Sequence, residues 1–247
     1  MLPERAMPSD PLCQALDAAA APVNFFIRDD DAGWADERLI ALLRSVEALR
    51  VPIDLAAIPV ALTPPLAREL TARRKGGQRI GVHQHGFAHL NHESTGRSSE
   101  FGPARTLGQR EADLRQGQDR LADLCGDAVD PIFTPPWNRL AADTAELLAG
   151  LGFGPLSRDV GAAPQHVMTE LSVHCDWSRQ WRLASAHAGA ASKRVALELA
   201  HHAVPGASVG LMLHHETMSD LELAELSKLL SVWTRHRNAR WCAMGEL

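Results

Sequence analysis

The sequence predicts an α/β fold built on a parallel sheet, open or closed into a barrel. Three observations carry this. Short apolar runs alternate with stretches of helical periodicity along nearly the whole chain. No Pro-, Gly- or Ser-rich linker divides the 247 residues, so one continuous domain is expected over 23–247 behind an N-terminal extension at 1–22. Polar residues suited to chemistry collect directly after the apolar runs, where parallel α/β folds gather their ligand-binding loops.

The extension carries Pro3, Pro8, Pro11 and an Ala run at 18–21, which leaves room for at most one short helix. Residues 23–28, Val-Asn-Phe-Phe-Ile-Arg, read as a buried strand that runs into Asp29, Asp30 and Asp31. Three adjacent carboxylates repel one another unless something positive sits among them. Leu39, Leu42, Leu43, Val46 and Leu49 follow a helical repeat, and residues 52–58 give a second strand. Thr63 caps a helix over 66–74, with Pro64 at its first position.

A third strand, at 79–82, leads into a stretch holding His83, His85, His89 and His92. Imidazole holds transition metals at neutral pH, and His85 and His89 can reach one point if the chain turns after Gly86. A third ligand must then come from elsewhere. The polar segment 93–103 reads as a long loop that could serve as a lid. Beyond it follow a helix over 107–124, a strand at 131–134, a rigid Pro135-Pro136-Trp137 turn and a helix over 143–151. Short strands are expected at 153–157 and 171–174 with a loop at 161–165 between them. A helix over 190–203, a strand at 208–213 and an amphipathic helix marked by Leu226, Leu229, Leu230 and Trp233 complete the chain.

Composition narrows the functions open to such a fold. With 45% hydrophobic and 22% charged residues the chain can bury a full core. A net charge of −5 and scattered Lys and Arg leave no basic surface for nucleic acid. No long apolar run and no secretory leader is visible, so no membrane contact and a cytoplasmic location are expected. Cys13, Cys125, Cys175 and Cys242 form no Cys-x-x-Cys pair and read as separate small hydrophobes. Nothing in the sequence sets an oligomeric state.

In order along the chain stand Asp29 to Asp31, His85-x-x-x-His89, Pro135-Pro136-Trp137, Asp176-Trp177 and Leu213-His214. This series resembles the NodB-type polysaccharide deacetylases of carbohydrate esterase family 4, over residues 23–220. The resemblance implies an irregular (β/α)7 TIM-like barrel, the NodB homology fold. It also implies a metal-dependent amide hydrolase, an N-deacetylase acting on an acetylated amino sugar or related small amide, with a small-molecule or oligosaccharide substrate and a divalent ion, zinc, as cofactor.

Carried over residue by residue, the family pattern makes Asp30 the general base and Asp31 a metal ligand beside His85 and His89. Arg28 then stands where the family has Thr; the pair Asp29 and Asp30 is the alternative register. His83 and His92 would lie behind the ligands or on the surface. The family's third motif has Arg before Pro-Pro-Tyr, whereas this chain has Thr134 and Trp137. The missing Arg's part, holding the base, would fall to Arg28 or Arg139. The backbone N–H of Trp137, flanked by Pro136 and Asn138, would serve the oxyanion. The resemblance makes His214 the general acid and Asp176 the residue that tunes it, with His215 as rival by one position. The altered third motif also allows a barrel that has lost catalysis and binds carbohydrate or a protein partner. A third possibility, His clusters that merely buffer metal, would give several weak sites instead of one.

Overall fold

The computed structural model describes residues 10–185 and 187–247. Its centre is a ten-residue strand, β1 (Val23–Ala32). On one edge it pairs with β6 (Ser208–Leu213) over residues 24–29. On the other, β7 (Ala239–Trp241) lies beside its start and β2 (Ile53–Ala57) beside its end. Beyond β2 come β3 (Ile80–His85) and β4 (Phe133–Thr134), and beyond β6 comes β5 (Val173–Asp176); every pairing is parallel.

The strand expected at 153–157 is corrected here to a run of single bridges. Leu156 bridges both Phe133 and Glu170, and Asp159 bridges Val173. Ser157 N–H donates to Phe133 O at 2.9 Å, and Val173 N–H to Arg158 O at 2.9 Å. Pro155 has no N–H to offer and Gly154 has no side chain to pack, so a regular ladder cannot propagate through this segment. These contacts carry the sheet from β4 round to β5 as an irregular barrel.

Helices α2 (Asp36–Ala48), α3 (Pro64–Lys75), α4 (Leu107–Cys125), α5 (Ala142–Gly150), α7 (Ala188–His202) and α8 (Asp220–Trp233) fall close to their expected places. Two elements were not anticipated, α6 (Trp177–Leu183) and β7, both too short to give a periodic signal. Within the extension residues 11–18 form one short docked helix, α1 (Pro11–Ala18). Asp10 caps it, accepting from Leu12 N–H at 2.9 Å and Cys13 N–H at 3.0 Å, and also accepts from Trp233 Nε1 at 3.1 Å. Leu12 and Leu16 are fully buried. Residues 1–9 lie outside the described residues. Among the described residues no helix is long and apolar enough to cross a membrane, and the four cysteines are free.

Strand alternation sorts the side chains that matter. Phe25, Ile27, Leu211 and Leu213 point outward into the core beneath the helices. Phe26 and Met212 point inward, where they pack with Ile132, Leu171, Val173 and Met244 inside the barrel. With a period of two, Arg28 and Asp30 continue the inward row of β1, while Asp29 joins the outward row. After β6 the same rule turns His214 inward and His215 outward.

Candidate active site

Asp31 breaks the alternation. Its φ is 68°, in the left-handed region that Asp tolerates better than most residues, and the β1–β2 register slips between Asp29 and Ala32. The bulge brings a second consecutive carboxylate to the barrel mouth. There Asp31 Oδ1 lies 3.3 Å from His85 Nε2 and 3.3 Å from His89 Nε2. Among the described residues this is the one group of three His, Cys, Asp or Glu side chains whose ligand atoms all fall within 4.8 Å of one another.

Both histidines are held from behind. His85 Nδ1 donates to Thr134 O at 3.0 Å, which fixes the tautomer and leaves Nε2 free to bind. His89, also left-handed at φ 55°, sits between Trp34 and Trp137, with ring centroids 5.0 and 4.4 Å away. Burial together with the His85 charge lowers its pKa. Burial opposes protonation of His85 as well, but its contact with Asp31 outweighs that and raises it.

The residues fit a divalent ion. Zn–N and Zn–O bonds of about 2.0–2.1 Å set neighbouring tetrahedral ligands about 3.3 Å apart, which matches both separations. Asp31 Oδ1 is buried and has no hydrogen-bond partner, as expected of an oxygen reserved for a cation.

Asp30 behaves quite differently from its neighbours. It is 3% exposed and receives two charge-assisted hydrogen bonds from Arg28, Nε to Oδ1 at 2.7 Å and Nη2 to Oδ2 at 2.9 Å. Burial pushes its pKa up, yet the Arg28 charge, aided by His85 and His214, brings it down to about 2. Arg28 also donates to Ser157 Oγ at 2.9 Å and Asn138 Oδ1 at 2.8 Å. Of the two arginines considered as its holder, Arg28 therefore contacts Asp30. Arg139 instead donates to Ser98 O at 2.9 Å.

The structure separates Asp29 and His215 from this group. His215 Nδ1 lies 2.6 Å from Asp29 Oδ2, its backbone N–H donates to Asp29 Oδ1, and its Nε2 lies 2.8 Å from Trp34 O. Both ring nitrogens face acceptors, so the imidazolium is the form that satisfies both. Burial disfavours that charge, but Asp29 raises the pKa to about 9. The ring is protonated in the fold at pH values where it is neutral in the unfolded chain. Its stabilisation is complete below pH about 6.5 and is lost as pH rises through about 9. Denaturant titrations from pH 6 to 10 should show wild-type stability falling by up to about 3 kcal/mol, with a flatter curve for His215→Gln.

The remaining expected residues occupy the walls. Trp137 and Asn138 are both left-handed, at φ 57° and 58°, after Pro135 and the buried Pro136. This turn lays the Trp137 ring on His89 and sets Asn138 Oδ1 against Arg28, so that the oxygen of Asn138 braces the guanidinium. His214 is half-buried, close enough for its charge to help lower the Asp30 pKa, with a buried Nδ1 that has no partner. Asp176 caps α6, accepting from Arg179 N–H at 3.0 Å, and shares no hydrogen bond with His214. His83 is wholly buried, 2.9 Å from Thr134 Oγ1, and burial beside Arg28 pushes its pKa down to about 3. His92 is exposed. A cleft of about 720 Å3 opens along Trp137, Asn138, Arg139, Asp159, His174 and Asp176, a size suited to a small polar ligand. Trp34, Ser157 and Glu100 also support the site, and the sequence carried no motif that marked them.

No family model and no curated protein matches this sequence. Solved structures do match its fold. A Mycobacterium smegmatis protein assigned as a polysaccharide deacetylase superposes with a TM-score of 0.63 at 15% identity, over 98% of this chain and 90% of that one. The fold is that of the family 4 carbohydrate esterases. A family 4 acetyl xylan esterase from Clostridium thermocellum, in complex with a cobalt ion, gives a TM-score of 0.59 at 11% identity, over 90% and 89% of the two chains. A mutant of a carbohydrate esterase family 4 pseudoenzyme with restored enzymatic activity gives 0.60 at 14%, over 92% of this chain and 67% of that one. The α/β barrel expected from the family 4 motifs is thus the fold of this chain.

Proposed function

We propose that the protein is a metal-dependent N-deacetylase acting on an acetylated amino sugar or a related small amide, with zinc as its ion. The observation that carries this reading is the meeting of Asp31, His85 and His89 at one point. A divalent ion held by those three side chains supplies Lewis-acid activation of water and of the acyl oxygen. The chain's own residues do the rest. Asp30, ionised and fixed by Arg28, takes the proton from the attacking water. His214, on the opposite side from the outward-facing His215, protonates the departing amine, and Asp176 lines the cleft. The backbone N–H of Trp137 faces the oxygen that gains charge. The cleft beside Trp137 takes the sugar.

Elemental analysis of freshly purified protein tests the ion. About one divalent ion per chain is expected, with Asp31→Ala and His85→Ala each losing it and losing acetate release from N-acetylated sugars by at least about 100-fold. Folded protein that takes up no ion when zinc is offered removes the hydrolase reading. One observation favours the second reading, a barrel that binds without hydrolysing: Thr134 stands where the resemblance expects an Arg. Metal uptake without acetate release from any N-acetylated substrate would support it.

A further inference from the structure

Glu100 is a fully buried carboxylate that the chemistry above does not use. Its Oε2 accepts from Phe87 N–H at 3.0 Å, and its Oε1 from Ala88 N–H at 2.8 Å and Leu90 N–H at 3.4 Å. Phe87 and Ala88 lie in the loop that carries the chain from His85 to His89, and Leu90 follows His89 directly. Successive backbone N–H groups turned towards one anion form a nest, here filled by a side chain of the same protein. Gly86 leaves the space for it. A Cβ there would fall 2.1 Å from Glu100 Oε2, and the residue's φ of +58° would strain any other side chain.

The segment that delivers Glu100 is anchored on its own account. Asn91 Oδ1 accepts from Glu93 N–H and Ser99 N–H, and His92 N–H donates to Ser99 O. Next to Glu100, the buried Phe101 bridges Leu140, and its carbonyl accepts from Ala141 N–H. The 93–103 loop, which could serve as a lid, is therefore at residues 99–101 a strap fixed beneath the His85–His89 loop.

We infer that Glu100 is a positioning residue for the divalent ion: through three backbone amides it holds the His85–His89 loop so that His89 Nε2 meets Asp31. The inference rests on the metal-site reading above. A neutral replacement of the same shape cannot do this. In Glu100→Gln one acceptor oxygen becomes an NH2 group, which leaves at least one loop amide facing a donor. The loop is then free to relax from the left-handed conformation at His89.

Full-length protein, wild type and Glu100→Gln, would be titrated with zinc against a competing chelator, and the visible spectrum of the cobalt(II)-loaded forms recorded. Glu100→Gln is expected to bind zinc about ten- to hundredfold more weakly and to change the cobalt spectrum. In a His89→Ala background, adding Glu100→Gln should change affinity less than about twofold, because the ligand it positions is gone. A merely structural role would lower the melting temperature and leave the cobalt spectrum and the zinc affinity of the folded fraction as they were. If Glu100→Gln does not fold, Glu100→Asp keeps the charge one methylene short and should show an intermediate loss. Unchanged zinc affinity in the folded Glu100 variant overturns the inference alone. No zinc binding by wild type overturns it together with the metal-site reading.

Discussion

Asp30→Asn should lower the rate of acetate release by about 100- to 10,000-fold while the protein still binds its ion. The substitution keeps the side chain's volume and one acceptor oxygen for Arg28, but removes the ability to take a proton, the charge and the second acceptor. The ligand cluster is formed by Asp31, His85 and His89 without Asp30, so the ion should stay. Stability will also fall, because Arg28 is wholly buried and gives up its full counter-charge. Measuring kcat beside zinc content and melting temperature separates these effects: the base role predicts a collapse of kcat at unchanged metal content and little change in KM. A variant that retains more than about a tenth of wild-type kcat would remove Asp30 from that role. A variant that loses its ion would move the ligand from Asp31 to Asp30 and reopen the other register.

Much of this arrangement was legible in the sequence, and the part that was not has a physical reason. His85 and His89 stood out by spacing, and the helices by their apolar repeats. The choice between His214 and His215 was open on motif grounds. Strand alternation turns His214 to the inner face and His215 to the outer, since Met212 and Leu213 already belong to opposite faces of β6. The same rule puts Asp29 outside and Asp30 inside. It fails at Asp31, where a bulge and a positive φ bring two neighbouring carboxylates to the same mouth. No residue pattern announces a left-handed Asp at the end of a strand. Ser157 and Glu100 were invisible for a different reason: each acts through a contact that the fold makes from an irregular segment, where neither period two nor period 3.6 applies. Arg28 was noticed only as an oddity of the first motif. Its meaning depended on what lay across the barrel.

That partnership yields the largest effect on stability. Arg28→Met would leave Asp30 buried without its counter-ion and strip the bonds to Ser157 and Asn138, a loss of about 3–5 kcal/mol, or about 10 °C in melting temperature for a chain of this size. The family pattern that the sequence resembles has Thr at the position of Arg28 and Arg at that of Thr134, so the two residue types stand exchanged between β1 and β4. Both side chains are fully buried, and Thr134 reaches His83, which is itself close enough to Asp30 and Arg28 to sense their charges. Thr134→Arg alone should be harmful, since it crowds a second guanidinium against the first. Arg28→Thr alone should be harmful for the reason already given. Combined, Arg28→Thr/Thr134→Arg returns one guanidinium to Asp30 from the other strand, and should recover at least about 2 kcal/mol over the sum of the single losses, along with part of the acetate-release rate. Thermal melts and kinetics of the three variants measure that coupling. Single losses that simply add would mean that Thr134 does not occupy the space an Arg needs to reach the base, and that Arg28 holds Asp30 in a way no residue on β4 can replace.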